Sequence, residues 1–134
     1  MVDRHSKLAL LSKVSHKTAH EVQEALTNRL GKMINCVLTI TADNGKEFAN
    51  HQAITNELGA VVYFARPYRS WERGLNEHTN GLVRQYLPKC KRLDEVTNET
   101  VAEIEELLNN RPRKSLQFRT PSEVFKAHTE KILN

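Results

Sequence analysis

A strand-like run that ends in a carboxylate turn lies near the middle of this chain. Residues 36–41 read CVLTIT, a composition rich in the β-branched residues that suit a pleated strand. Asp43, Asn44 and Gly45 follow, and this turn sequence ends the strand. Ligand sites of open α/β sheets gather at the carboxyl ends of strands, so the pattern predicts a functional role for Asp43. Ordinary turn chemistry is the alternative, because Asp-Asn-Gly also occurs in turns that bind nothing.

A second strand-to-helix unit carries another carboxylate. Residues 60–64 read AVVYF and predict a buried strand. Helical spacing at Leu75, Leu82 and Tyr86 then places Glu77 near a helix start. Two carboxylates at the ends of separate strand-to-helix units can converge on divalent metal ions that activate water or a hydroxyl for attack on a phosphate. Mg²⁺ suits such a site because it prefers oxygen ligands and retains several waters.

The predicted elements alternate in a way that is typical of one α/β domain over residues 1–134. Three strands are predicted, at residues 7–14, 35–41 and 61–65. Helices are predicted at residues 18–30, at 48–58, and from Glu77 to about Leu87. Two more follow: the first turns Val101, Ile104, Leu107 and Leu108 to one face, and the second opens at Pro121.

Two longer motifs surround the candidate carboxylates. Residues 41–48 read TADNGKEF, and residues 71–81 read WERGLNEHTNG. These blocks, with the interval between Asp43 and Glu77, resemble the catalytic cores of bacterial insertion-sequence DDE transposases, which belong to the retroviral integrase-like, ribonuclease H-like superfamily. The resemblance continues through residues 82–89, 108–114 and 120–125. It implies a ribonuclease H-like mixed sheet flanked by helices.

The resemblance also implies an activity, which is the cutting and joining of DNA. Asp43 and Glu77 would be catalytic metal ligands for Mg²⁺ or Mn²⁺, with two ions in the complete site. One ion would activate water to nick the element end, and the freed 3′-hydroxyl would then attack target DNA. Glu72 is a rival ligand, but residues 74–77 resemble the G-x-x-E of the superfamily's third carboxylate and favour Glu77.

One carboxylate of the family pattern is missing from this chain. In the family the first catalytic Asp lies on the first strand of the sheet, upstream of a segment similar to residues 2–7 here. Asp3 resembles an acidic residue at the end of the second strand, so the metal role is not transferred to it. We therefore expect a truncated core that lacks the first strand and is weak or inactive alone. Its open sheet edges favour self-association as a homo-oligomer.

The charge and the motifs together predict a DNA-binding surface. The net charge is +4 and the isoelectric point about 9.2, and Lys and Arg contacts to phosphates dominate non-specific DNA affinity. The candidate residues lie in or beside the motifs and are Lys46, Arg66, Arg69, Trp71, Arg73, Asn80, Arg84 and Lys89. A second basic group comprises Arg111, Arg113, Lys114 and Arg119. The alternatives are a solvated basic surface and, for Trp71, a packing anchor.

Other classes of protein receive less support from the sequence. No apolar run is long enough to cross a membrane, and the start lacks a signal-peptide pattern, so we expect a cytoplasmic protein that associates with the bacterial nucleoid when bound to DNA. Cys36 and Cys90 show no metal-binding spacing. Two alternative functions remain: a catalytically inactive DNA-binding or dimerising fragment of a transposase, and a ribonuclease H-like nuclease outside transposition.

Overall fold

The structure, a computed structural model, describes residues 1–66 and 74–133. The chain divides into two compact units, one formed by Met1–Leu11 with Gly74–Asn134 and the other by Ser12–Arg73. The first is the terminal unit and the second is the central unit. That the whole of residues 1–134 acts as a single domain stays a prediction.

The first helix of the central unit, α1 (Ala19–Gly31), forms where the sequence predicts it. The Thr18 hydroxyl accepts a hydrogen bond from the backbone N–H of Glu21 and caps the helix at its amino end. Leu26 and Leu30, one turn apart, are the buried residues of this helix. An amphipathic pattern with a local cap is therefore enough to specify α1.

Two short parallel strands, β1 (Thr39–Ala42) and β2 (Val61–Phe64), lie side by side in the central unit. Thr39 pairs with Val61 and Ala42 with Phe64. Their connection contains α2 (His51–Leu58), which packs against both α1 and β2. Parallel strands need a crossover of this kind. The predicted strand at 35–41 is shorter than expected, because Ile34–Cys36 forms a 3₁₀ turn.

The prediction that β2 is buried is wrong. Val61 and Tyr63 are 49% and 56% exposed, although the strand is almost continuously apolar. Parallel strands are apolar throughout when layers cover both faces of their sheet. Within the described residues this sheet has only two strands, so β2 is an edge.

The start of the terminal unit is a tight antiparallel turn, and the strand predicted at residues 7–14 is wrong. Within residues 7–14, only Ala9 takes part in β-pairing, through a single antiparallel bridge to Val2. The Asp3 N–H donates to the Leu8 carbonyl and the Lys7 N–H donates to the Asp3 carbonyl, both at 2.9 Å. Lys7 has a positive φ of 64°, which interrupts an extended strand.

Three helices complete the terminal unit: α3 (Gly74–Tyr86), α4 (Asn98–Asn109) and α5 (Pro121–Leu133). Their positions along the chain agree with those of the predicted helices. The apolar core of this unit consists of Leu82, Leu87, Val96, Ile104 and Leu108. Leu107, predicted to share the buried face of α4, is instead 53% exposed. No helix in the described ranges is long and apolar enough to cross a membrane.

Candidate functional site

The Asp43 turn lies where β1 ends in the central unit. Ala42 is buried as the last residue of the strand, and Asp43 is exposed directly after it. The Asp43 Oδ1 atom accepts a hydrogen bond of 3.0 Å from the Gly45 N–H, which closes the turn. The Asn44 side-chain amide donates to the carbonyl of Ala65, just beyond β2, at 2.9 Å. The turn is thus tied to the carboxyl ends of both parallel strands, the edge where α/β sheets bind ligands.

An ion pair between Lys17 and Glu47 lies beside the same turn. Lys17 Nζ lies 3.0 Å from Glu47 Oε1, and the Glu47 side chain is only 11% exposed while that of Lys17 is 76% exposed. The Glu47 carboxylate covers Gly45 so closely that a β-carbon added there would collide with it. The colliding atoms belong to the end of the flexible Glu47 side chain, which can move aside, so this contact alone does not require glycine at position 45.

The ion pair perturbs the titration of both partners. The pKa of Glu47 falls below its ordinary value of 4.5, first because its own backbone N–H donates to the carboxylate and then because Lys17 does. The pKa of Lys17 rises above 10.5, first through its hydrogen bond to Glu47, with a smaller contribution from the charge of Asp43. Sequence reasoning missed Lys17, since no local pattern links it to a turn so far along the chain.

Glu77 lies in the first turn of α3, in the terminal unit, and is exposed. A carboxylate in this position is favoured by the positive end of the helix dipole. The sequence therefore placed Glu77 correctly at a helix start. Its rival, Glu72, falls outside the residues that the structure describes.

Asp43 and Glu77 offer the hard oxygen donors that Mg²⁺ and Mn²⁺ prefer, and both side chains are open to solvent. Residues 1–66 and 74–133 contain no group of three or more His, Cys, Asp or Glu side chains that could hold a metal ion. The donor chemistry of the two carboxylates fits a divalent metal, whereas a complete ligand set is not gathered within these ranges.

Asp3 has a structural environment that differs from that of the two candidates. Its Oδ2 atom accepts hydrogen bonds from the Ser6 backbone N–H at 2.8 Å and from the Ser6 hydroxyl at 2.6 Å. Ser6 is completely buried. These bonds explain Asp3 as the residue that closes the first turn of the chain.

The candidate DNA-binding residues divide between the units. Lys46 and Arg66 are exposed in the central unit, Lys46 directly after the Asp43 turn and Arg66 after β2. Asn80, Arg84 and Lys89 are exposed in or just after α3, where Arg84 Nη1 donates to the Leu87 carbonyl at 3.3 Å. The remaining three lie outside the described ranges and are Arg69, Trp71 and Arg73. Each of these DNA-contact assignments stays a prediction.

Residues 1–70, which include β1, β2 and the Asp43 turn, match the integrase core domain family. The chain belongs to the integrase core domain family. This integrase core domain protein is 52% identical over 124 residues to the transposase for insertion sequence element IS4351 of Bacteroides fragilis, covering 92% of this chain and 38% of that protein. It is 40% identical over 126 residues to transposase InsI for insertion sequence element IS30A of Escherichia coli strain K12, covering 93% and 33%.

The fold of this integrase core domain protein is also that of a solved structure. The catalytic core domain of BIV integrase matches with a TM-score of 0.70 and 20% sequence identity, over 97% of this chain and 86% of that one. At that identity the match shows the fold alone, which is the ribonuclease H-like α/β fold predicted from the sequence. The chain spans well under half the length of the two transposases it resembles.

Proposed function

We propose that this chain is part of the catalytic core of a transposase that cuts and rejoins DNA phosphodiester bonds with the help of divalent metal ions. The observation that carries the proposal is the Asp43 turn: an exposed carboxylate directly after β1, within TADNGKEF, held by Asn44 to the end of β2. Family membership and the two insertion-sequence transposases support the same reaction class. The reaction would take place on DNA in the bacterial cytoplasm.

In the proposed reaction, Asp43 and Glu77 would hold Mg²⁺ or Mn²⁺, with two ions in the complete site. Bound divalent metal would polarise the scissile phosphate and ease deprotonation of the attacking oxygen. Water attacks phosphorus at the element end and the P–O3′ bond breaks, which leaves a 3′-hydroxyl. That hydroxyl attacks a target phosphodiester, forms a new P–O3′ bond and releases the target 3′-hydroxyl.

A chimeric transposase tests this function. This chain replaces the matching 38% of the Bacteroides fragilis transposase, and excision and insertion of a marked element are counted in cells. We expect a functional chimera that loses at least about 100-fold activity with Asp43→Asn or Glu77→Gln. Asp94→Asn and Glu103→Gln, which neutralise exposed carboxylates elsewhere, serve as matched controls and should retain activity. A stable chimera without transposition, or full activity in Asp43→Asn, would overturn the proposal.

Metal binding by the chain itself gives a second readout that does not depend on the chimera. In a Mn²⁺ titration followed by NMR, we expect paramagnetic broadening of the amides around Asp43 and Glu77. Asp43→Asn should abolish the broadening around residue 43. Broadening that is unchanged in this variant would remove Asp43 from the metal ligands.

A catalytically inactive DNA-binding fragment is the second candidate, favoured by the basic group at Arg111, Arg113, Lys114 and Arg119. Metal dependence separates the two functions. DNA affinity that is unchanged by Mg²⁺ and by Asp43→Asn, together with an inactive chimera, would support the fragment.

A further inference from the structure

The connection between α4 and α5 forms a small closed loop over residues 113–119, called here the 113–119 loop. The Arg113 N–H donates to the Arg119 carbonyl at 3.0 Å, and the Arg113 carbonyl accepts from the Phe118 N–H at 2.9 Å. Within the loop, Lys114–Leu116 forms a 3₁₀ turn. The loop backbone is therefore held by hydrogen bonds within the loop itself.

Two consecutive residues of this loop adopt an unfavourable backbone conformation. Gln117 and Phe118 have φ values of 55° and 64°, and neither is glycine. Left-handed backbone is disfavoured for residues with a β-carbon and for a bulky aromatic in particular. Such strain tends to occur at functional sites, where the surrounding bonds maintain it. Here it accompanies an aromatic side chain, that of Phe118, which is 72% exposed.

The charged residues next to Phe118 in the sequence are all basic. No Asp or Glu occurs from residue 107 to residue 122, whereas Arg111, Arg113, Lys114 and Arg119 do. Arg113 is half-buried, and its guanidinium donates to the Leu108 carbonyl at 3.0 Å, so it anchors the loop to α4. Arg111, Lys114 and Arg119 are exposed, and no carboxylate in the described part of the chain pairs with any of them.

We propose that the 113–119 loop binds an unpaired DNA base, with Phe118 stacked on the base and Arg111, Lys114 and Arg119 on the flanking phosphates. An exposed aromatic ring beside exposed cations is a combination that suits single-stranded nucleic acid, because bases offer π-faces and the backbone offers negative charge. A continuous duplex hides its base faces, so the occupant is a single strand or a frayed end. The inference rests on the proposed function, since it takes DNA as the partner.

The test measures binding of a short single-stranded oligonucleotide that carries one 2-aminopurine, a base whose fluorescence falls on stacking. It is run without divalent metal, so failure of the metal-dependent reaction does not affect it. We expect Phe118→Ala to weaken binding by about tenfold or more and to abolish the quenching. Phe118→Trp should preserve both, and Phe118→Leu, which stays apolar but has no ring, should behave like Phe118→Ala.

The salt dependence of DNA affinity distinguishes the contribution of the cations from that of the Phe118 ring. Lys114→Gln and Arg119→Gln should each reduce the slope of log affinity against log salt by about 0.7, while Phe118→Ala should leave that slope unchanged. Leu107→Ala removes an apolar side chain of α4 that is 53% exposed, and this control should bind like the parent chain. Circular dichroism melting verifies that each variant is folded.

Two results would overturn the inference. One is a folded Phe118→Ala variant with parental affinity and quenching. The other is a Phe118→Ala variant that loses self-association in light scattering while its DNA binding is unchanged, which would assign the ring to a protein interface.

Discussion

Asn109 and Ala9 hydrogen-bond to each other in both directions although they lie 100 positions apart. The Ala9 N–H donates to Asn109 Oδ1 and the Asn109 Nδ2 donates to the Ala9 carbonyl, each at 2.8 Å. The Leu11 N–H donates similarly to Glu105 Oε2 at 2.8 Å. Side chains of α4 thus satisfy backbone groups that a neighbouring strand would pair in a sheet, and this attaches the start of the chain to α4.

Asn109→Ala should destabilise the fold strongly. Asn109 is buried, and its removal leaves the N–H and carbonyl of Ala9 without their partners. We expect a loss of about 3 kcal/mol in the free energy of unfolding. Urea denaturation measures it. Asn110→Ala changes the adjacent, exposed asparagine and should cost under about 0.5 kcal/mol; equal effects of the two substitutions would contradict the role of the bidentate pair.

Ser6→Ala tests the first turn of the chain. The Ser6 hydroxyl donates to Asp3 and accepts from the Leu8 N–H at 3.2 Å, inside a completely buried position. Losing the hydroxyl should lower the free energy of unfolding by about 1–3 kcal/mol, because the buried Leu8 N–H loses its acceptor. Thermal unfolding provides the measurement. Ser115→Ala, at an exposed serine, is the control, and a Ser6→Ala chain as stable as this control would exclude the role.

Gly59→Ala should weaken the end of α2. Gly59 adopts left-handed backbone with φ 68° and donates its N–H to the Thr55 carbonyl at 2.8 Å. A β-carbon in that conformation costs about 1 kcal/mol. Gly31 ends α1 without a positive φ, and nothing lies within 4 Å of an added β-carbon. Gly31→Ala should therefore be neutral or stabilising in the same denaturation assay, and a neutral Gly59→Ala would be the contrary result.

The Glu47 carboxylate should contribute to the loss of stability in acid. Its pKa is lower in the folded chain than its ordinary value of 4.5, so the stabilisation is present above the unfolded pKa and disappears as the pH falls through the folded one. Glu47→Gln should flatten the decrease in melting temperature below about pH 5. Lys17→Gln should flatten it less, because the Glu47 backbone N–H still donates to the carboxylate. Identical profiles in the parent chain and Glu47→Gln would exclude this contribution.

Much of the helical structure follows from local sequence. α5 begins at Pro121 as predicted, because the Thr120 hydroxyl accepts from the Glu123 N–H at 3.2 Å and the Glu123 carboxylate accepts from the Thr120 N–H at 2.9 Å. Both capping hydrogen bonds join residues that lie within four positions of each other. The Asp43 turn is local in the same sense, since the bond from Gly45 to Asp43 spans two positions. A sequence pattern is enough to predict an element when the hydrogen-bond partners of its backbone groups are close in the chain.

Non-local partners explain the elements that the sequence misjudged. The strand expected at residues 7–14 fails because Ala9 and Leu11 find their hydrogen-bond partners on α4, at Asn109 and Glu105. The apolar pattern of β2 does not reveal how many layers cover it, and Tyr63 remains exposed.

The sequence alone determined the α/β class, the helices with local caps, and the carboxylate turn at Asp43 with Glu77 at a helix start. Only the tertiary structure decided that Lys17 pairs with Glu47 beside that turn and that Asn109 binds the start of the chain. It also decided that Phe118 projects from a strained basic loop. The physical reason is the same in each case: hydrophobic spacing and turn residues act over a few positions, whereas burial and ion pairing depend on which distant segments meet.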